Sequence, residues 1–203
     1  MPLGIQVRPA GGYVSPAWTS ERGDQWIQFF QTNTVYPEGF GVLGDVANTT
    51  SRRMTENGVD VMIFAPDPSC PWSLARPVDF TWVLDDHGSG HSGMLNYWWP
   101  VPPPDYVAMG LCFVGGDGPP DPSLYWCVHR YFVCPATAED FWSDAGQGWE
   151  SHNGNLQFLS HGNNYGAIAP PVLLSVEAMA NGMGTPTAIL PQWGPPEPPV
   201  YTG

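Results

Sequence analysis

Three short stretches of this sequence combine acidic side chains with glycine, a mixture suited to binding hydroxyl-rich or cationic ligands. Carboxylates accept hydrogen bonds from hydroxyl groups, backbone N–H groups donate them, and an aromatic ring packs against the C–H face of a sugar. Hard oxygen ligands also suit calcium, the one cofactor that these residues suggest, with Asp86 and Asp144 as its candidate ligands. The candidate ligand-binding residues are Glu21 and Asp24 in the first stretch, Asp85, Asp86, Gly88, Ser89, Gly90 and His91 in the second, and Asp144, Gly146, Gly148 and Trp149 in the third.

The same residues also have a purely structural interpretation. Asp and Gly are favoured in tight turns because Gly reaches positive φ at no steric cost and Asp can bond its own backbone. Both interpretations stay open for the second stretch, whereas the first stretch favours the turn.

Signatures of catalysis are weak in comparison. The sequence has no GxSxG nucleophile elbow and no HExxH motif, and residues 88–90 lack the spacing of the former. Its 19 acidic residues include no pair that context marks as a glycosidase pair. We therefore expect a non-catalytic binding module, with a hydrolase that uses an unrecognised carboxylate site as an alternative.

The charge of the chain limits its partners. Its 203 residues carry a net charge of −13 and include no lysine. Nucleic acids and anionic membranes attract proteins through clustered cations, so we expect neither to be a partner. Neutral glycans, lipid headgroups and proteins remain. No apolar run reaches the length of a membrane span, and residues 1–4 show no secretory signal, so a cytoplasmic or non-classically secreted protein is expected.

The elements that must position the acidic stretches are predicted to be strands. The chain has 24 Gly and 24 Pro, which lie between short aromatic-rich runs, as in all-β proteins with many turns. A pattern of acid, glycine, apolar strand, turn and second strand recurs at residues 18–46, 82–114 and 142–174. It predicts a β-prism-like domain of three pseudo-repeated antiparallel sheets around one core.

The end of the chain has a different composition. We expect a single all-β domain over residues 1–190 and an extended, Pro-rich C-terminal tail over residues 191–203. Pro198, Pro199 and Tyr201 of the tail form a PPxY motif, the kind of segment that WW domains bind. A trafficking or protein-interaction adaptor that uses this tail is therefore a second alternative.

Cysteine spacing gives no sign of a metal site. None of the four cysteines lies in a CxxC motif, and we favour reduced, buried thiols. Cys112 and Cys127 flank a Gly-rich loop, so they could also face each other across a hairpin.

Several segments together resemble the vacuolar protein sorting-associated protein 62 family. They are WVLDDHGSG at residues 82–90, WWPVPPPDYVAMG at residues 98–110, WCV at residues 126–128 and PEGFGVLGDV at residues 37–46. Asp105 departs from the family pattern, which has Gly there, and His129 stands before Arg130 where Arg usually follows Val.

The resemblance implies a β-prism-like binding module without established catalytic residues. Related modules occur in multivesicular-body proteins and beside pore-forming domains in toxins, which suggests membrane targeting within a toxin or defence system. Our leading hypothesis is a lectin-like module that recognises neutral glycans or lipid headgroups through loops at one end of the prism.

Overall fold

The computed structural model describes residues 4–14, 18–20, 26–30, 36–50, 59–86, 94–142, 156–160 and 172–190. This part of the chain is predominantly β, which confirms the predicted fold class. Its helical elements are α1, Val176–Ala180, and two single 3-10 turns at Pro122–Leu124 and Arg130–Phe132. The strands are β1 Ile5–Val14, β2 Trp18–Ser20, β3 Trp26–Phe30, β4 Val46–Thr50, β5 Val59–Pro66, β6 Leu74–Ala75, β7 Asp79–Asp85, β8 Leu95–Val101, β9 Tyr106–Val107, β10 Cys112–Gly115, β11 Cys127–His129, β12 Val133–Pro135, β13 Thr137–Trp142, β14 Leu156–Ser160, β15 Leu173–Ser175 and β16 Thr187–Ile189.

Three of the sheets have the same construction. Each has three antiparallel strands, in the orders β2-β3-β4, β7-β8-β10 and β13-β14-β15. Each of the three segments marked by the sequence pattern supplies the middle strand of one of these sheets. The prism-like arrangement of the sheets around an axis stays a prediction.

One hydrophobic cluster includes side chains from all three sheets. Phe29 of β3, Tyr97 of β8 and Leu156 of β14 are members, each with 4% or less of its surface exposed. Alternate residues of an antiparallel strand face the same side, which explains why Ile27 and Phe29 both point into this cluster. Apolar surface removed from water in this way is the main favourable contribution to folding.

The remaining sheets join distant parts of the chain. β1 pairs with β5, β11 lies between β6 and β9, and β12 pairs with β16. A second hydrophobic cluster lies at β5, β7 and β10, and Trp98 packs against it while Trp99 belongs to the first cluster. Both faces of β8 are thus covered, as expected of adjacent residues on opposite faces.

The two turns that resemble each other in sequence also share a backbone conformation. Gly39 has φ +80°, and Asp105 at the matching position has φ +71°. Asp is one of the few side chains that tolerates this left-handed region. The Asp105 carboxylate forms an ion pair with Arg130, and its carbonyl accepts a hydrogen bond from the Arg130 N–H at 2.8 Å. The departure from the family's Gly therefore leaves the turn intact.

A close approach makes Gly41 the least replaceable of the glycines in this turn region. A Cβ there would lie 2.6 Å from the carbonyl oxygen of Leu124 and 2.7 Å from Nη1 of Arg76. The Arg76 guanidinium is held in place because it stacks 3.3 Å from the centroid of the Trp126 ring. Burial lowers the pKa of Arg76 to about 10, and the nearby Asp121 carboxylate acts in the opposite direction.

Gly41→Ala should lower the free energy of unfolding by about 1–3 kcal/mol, because a rigid backbone carbonyl must move to admit the methyl group. Urea unfolding followed by circular dichroism measures the change. The matched control is Gly115→Ala, since a Cβ at Gly115 meets nothing within 4 Å and its φ is not in the left-handed region. Equal stability of the two variants would contradict the close approach at Gly41.

Cys112 and Cys127 do not face each other across a hairpin, contrary to the alternative that their spacing allowed. Cys112 of β10 pairs with Trp98 of β8, whereas Cys127 of β11 pairs with Ala75 of β6. Both are buried free thiols. Burial raises the pKa of Cys127 to about 12, and burial together with the Asp45 carboxylate raises the pKa of Cys112 well above its ordinary value. The reactive thiolate form is therefore suppressed at both positions.

Candidate functional site

The hairpin of β7 and β8 carries the second acidic stretch. Asp79 lies opposite Val101 at the base of the hairpin, and Asp85 lies opposite Asn96 at its other end. Residues 87–93, which join the two strands, lie outside the described part of the chain. The end of β7 and the start of β8 therefore define the two ends of this acidic stretch.

Asp86 closes the neck of this hairpin. Its N–H donates to the Leu95 carbonyl at 3.1 Å, and its carboxylate oxygen Oδ1 accepts a hydrogen bond from the Leu95 N–H at 2.7 Å. Only 8% of the residue is exposed. One oxygen of Asp86 thus joins the residue after β7 to the first residue of β8, a geometry that fits the turn interpretation. Its role as a ligand for a sugar or calcium stays a prediction.

A hydrogen-bonded chain of three residues crosses the sheet beside this neck. The indole Nε1–H of Trp82 donates to Oδ1 of Asn96 at 3.1 Å, and Nδ2 of Asn96 donates to the Gly116 carbonyl at 2.8 Å. Asn96 is buried, with 6% exposed, whereas Trp82 is 48% exposed. The Trp82 ring is therefore held rigidly by a buried partner while half of its surface stays open to solvent.

A β-bulge directly follows Trp82 in β7. The register shifts between Trp82 and Leu84, so that Trp82 pairs with Trp98 and Leu84 with Tyr97. Val83 and Leu84 are both buried as a result, and the alternation of β7 is broken at this point. Bulges commonly re-aim side chains near binding sites. Trp82 and Asn96 were not predicted as site residues, because no pattern in the sequence indicates that a hydrogen bond joins them.

The loop after β10 forms a third side of the same region. The Gly116 N–H donates to the Met94 carbonyl at 2.9 Å, which holds the loop against the start of β8. Gly116 and Gly118 have φ values of +106° and +100°, a conformation that Gly alone adopts readily. Met94 is 39% exposed. The end of this sheet therefore presents an aromatic ring, an exposed thioether and backbone polar groups together.

Most of the predicted site residues lie outside the described part of the chain. Each of the three acidic stretches nevertheless joins the first and second strands of its sheet: residues 21–25 follow β2, residues 87–93 follow β7 and residues 143–155 follow β13. The predicted site residues outside the described part are Glu21, Asp24, Gly88, Ser89, Gly90, His91, Asp144, Gly146, Gly148 and Trp149, together with Pro198, Pro199 and Tyr201 of the tail.

Within the described ranges, a metal-binding group of side chains and a membrane-spanning helix are both absent. In those ranges no group of three or more His, Cys, Asp or Glu side chains is placed to hold a metal ion. Asp144, the second candidate calcium ligand, lies outside them, so the calcium site stays a prediction. The helices of the same ranges include none with the length and apolarity needed to cross a bilayer.

Comparison with protein families agrees with the resemblance in the sequence. The family model described as vacuolar protein sorting-associated protein 62 matches residues 13–148, which is more than half of the chain. The chain belongs to this family. The matched range of this Vps62 family member includes the β7–β8 hairpin and the Trp82–Asn96–Gly116 chain of hydrogen bonds. No curated protein matches the sequence.

A solved structure shares the fold of this Vps62 family member. GNIP1Aa from Chromobacterium piscinae superposes with a TM-score of 0.66 at 21% sequence identity. The match covers 96% of this chain but only 34% of GNIP1Aa, so the chain spans about a third of the length of that protein. At this level of identity the similarity concerns the fold alone.

Proposed function

We propose that this chain is a non-catalytic, lectin-like binding module that recognises neutral glycans or lipid headgroups. The loops between the first and second strands of its three sheets form the binding surface, at one end of a β-prism. The observation that carries the proposal is the half-exposed Trp82 ring, fixed by buried Asn96 beside the β7–β8 loop. Membership of the Vps62 family supports a β-rich binding module.

Trp82 has the properties of a preformed platform for a sugar. A ring that is already ordered loses little conformational entropy when a ligand packs on it. Asp85, at the end of the same strand, adds a carboxylate as acceptor for hydroxyl groups. An aromatic face next to a few polar groups is the usual composition of a small-ligand site.

The common position of the three acidic stretches supports a binding surface made of several loops. Each stretch follows the first strand of its sheet. Three such loops at one end of a prism would bind repeated units of a glycan or neighbouring headgroups together, which raises the apparent affinity. The net charge of −13 favours neutral ligands over anionic ones.

The extent of the match to GNIP1Aa supports a role as one module of a larger activity. This chain corresponds to about a third of that protein. We propose that it acts as the targeting part of a toxin or defence system, by attaching its partner domain to a glycan- or lipid-bearing surface. Calcium, held by loop carboxylates, would strengthen this attachment.

Trp82→Ala should reduce the affinity for the best ligand on a glycan array or lipid overlay at least tenfold. Loss of an aromatic anchor commonly costs about 2 kcal/mol or more in binding. Trp82→Phe should retain much of the affinity, because it keeps a ring at this position. The measurement is a titration of the selected ligand by calorimetry, with and without calcium.

The matched control is Val78→Ala, which removes an exposed side chain just before the base of the same strand. It should bind like the unmodified chain. No signal from the unmodified chain across neutral glycans and headgroups, with calcium present, would overturn the proposal. Binding by Trp82→Ala at full strength would show that the ligand does not contact this ring.

A further inference from the structure

A second group of aromatic rings lies around the small sheet β6-β11-β9. The Trp72 ring is 4.9 Å from His129, 5.2 Å from Phe132 and 6.3 Å from Tyr131, measured between centroids. Phe132 is fully buried, Trp72 is half-buried and Tyr131 is 51% exposed. We call Trp72 and Tyr131 the aromatic ridge, because they form the exposed side of this group.

The aromatic ridge is fixed by polar contacts beneath it. The Tyr106 hydroxyl donates to the Trp72 carbonyl at 2.7 Å, and Nδ1 of His129 accepts a hydrogen bond from the Tyr131 N–H at 3.2 Å. Burial lowers the pKa of His129, which favours the neutral ring that can accept this bond. Both bonds are to backbone groups, so they hold the main chain that carries the two rings of the ridge.

The described chain ends next to the aromatic ridge. β16 pairs with β12, with Ile189 opposite Val133, and the Leu190 N–H donates to the Phe132 carbonyl at 2.8 Å. Phe132 directly follows Tyr131 in the 3-10 turn that carries it. The residues that follow Leu190 read PQWGPPEPPVYTG. The Pro-rich tail therefore starts from a point beside the two rings.

We propose that residues 195–199 of the tail, PPEPP, dock in the polyproline II conformation on the aromatic ridge of their own chain. Four residues separate Leu190 from Pro195, and such a link spans at most about 17 Å, which is enough to reach rings so close to its start. Aromatic-lined grooves are the usual receptors for this conformation, since Pro-rich segments lose little entropy on binding.

The periodicity of the tail suits such a surface. Polyproline II has three residues per turn. Pro195 and Pro198 therefore share one edge, Pro196 and Pro199 share a second edge, and Glu197 lies on the third. Two edges of proline can face the rings while the Glu197 carboxylate faces water. No charge has to be desolvated, so the docking should depend little on salt.

Docking would hide the PPxY motif, because Pro198 and Pro199 belong both to the docked segment and to the motif. A short tether gives an effective concentration of about 1 mM. If the tail as a free peptide bound the aromatic ridge with a dissociation constant of about 0.1 mM, the tethered tail would be docked about 90% of the time. A WW domain that binds only the undocked tail would therefore bind the full chain about tenfold more weakly than it binds the free peptide.

The test is a calorimetric titration with a WW domain chosen because it binds a synthetic peptide of residues 191–203. The full chain should bind this WW domain about tenfold more weakly than the peptide does. Tyr131→Ala should bring the full chain to within about twofold of the peptide, whereas Tyr131→Phe and the control Val78→Ala should remain weak.

A second variant tests the tail side without touching the domain. Replacing Pro195 and Pro196 with Ala leaves PPxY in place and should also strengthen WW binding by the full chain to the level of the matching peptide. Equal affinity of the unmodified full chain and the peptide would overturn the proposal. So would weak binding that persists in both Tyr131→Ala and the tail variant.

Discussion

Asp45→Ala is expected to lower the free energy of unfolding by about 3–5 kcal/mol, because it leaves two buried donors without their acceptor. Asp45 is fully buried, and its Oδ2 accepts hydrogen bonds from the Tyr125 hydroxyl at 2.8 Å and from the Phe113 N–H at 2.7 Å. Hydrogen bonds to a charged group in a low-dielectric interior are among the stronger ones in proteins. Urea unfolding followed by fluorescence measures the loss.

Two further variants separate the contributions. Tyr125→Phe removes one of the two bonds and should cost about 1–3 kcal/mol, and the double variant should cost less than the sum of the two single variants. Asp117→Ala removes an exposed carboxylate in a loop and should leave stability within about 0.5 kcal/mol. A cost below about 1 kcal/mol for Asp45→Ala would contradict its role in the core.

Asp45 also shows why an acidic residue in a family motif need not bind a ligand. It ends the turn that contains Gly41 and Gly44, and its N–H donates to the Leu111 carbonyl at 2.8 Å. A Cβ on Gly44 would lie 3.1 Å from the Cα of Gly110. The two matching turns of the first and second segments therefore meet here, and Asp45 joins them to β10. The sequence pattern contained both turns but could not indicate that they touch.

The parts of the fold that could be predicted are those with local signals. The middle strands β3, β8 and β14 are aromatic or aliphatic runs between turn residues, a pattern that predicts strands. The all-β class followed from the same runs, and the family followed from the order of several short motifs. Such signals need only neighbouring residues, so a single sequence contains them.

The pairings between distant segments could not be predicted. β1 pairs with β5, with Ile5 opposite Pro66, and β12 pairs with β16 at the other end of the chain. Short strands such as β6 and β9 have too few residues to show a period, and their pairing depends on tertiary packing. The same limit left a hairpin between Cys112 and Cys127 open as an alternative to the favoured buried thiols, since spacing in sequence does not identify the partner strand.

The loops of the candidate site were predicted, whereas Trp82 and Asn96 were not. The acidic stretch after β7 was found from its composition, whereas Trp82 became relevant only through its exposure and its hydrogen bond to Asn96. Asn96 was overlooked because a polar residue on a hydrophobic strand has no distinctive spacing. Its importance comes from two hydrogen bonds, to Trp82 and to Gly116, that exist only after β7, β8 and β10 are assembled.

Phe29→Ala is expected to lower the free energy of unfolding by about 3–5 kcal/mol. The Phe29 ring of β3 meets the Phe113 ring at 4.8 Å and the Tyr97 ring at 5.6 Å, both edge to face, and it is fully buried. Truncation removes these aromatic contacts and leaves a cavity where two sheets meet. Leu156→Ala of β14 should cost about 2–5 kcal/mol for the same reason.

The shape of the unfolding curve decides whether the three sheets share one core. If they do, each variant should shift a single cooperative transition to lower urea concentration, with the same midpoint by fluorescence and by circular dichroism. Val7→Ala, which truncates an exposed side chain of β1, is the matched control and should leave the midpoint in place. A loop surface that spans three sheets keeps its shape only while their shared core is intact. Separate unfolding transitions in Phe29→Ala and Leu156→Ala would therefore count against both the common core and the proposed binding surface.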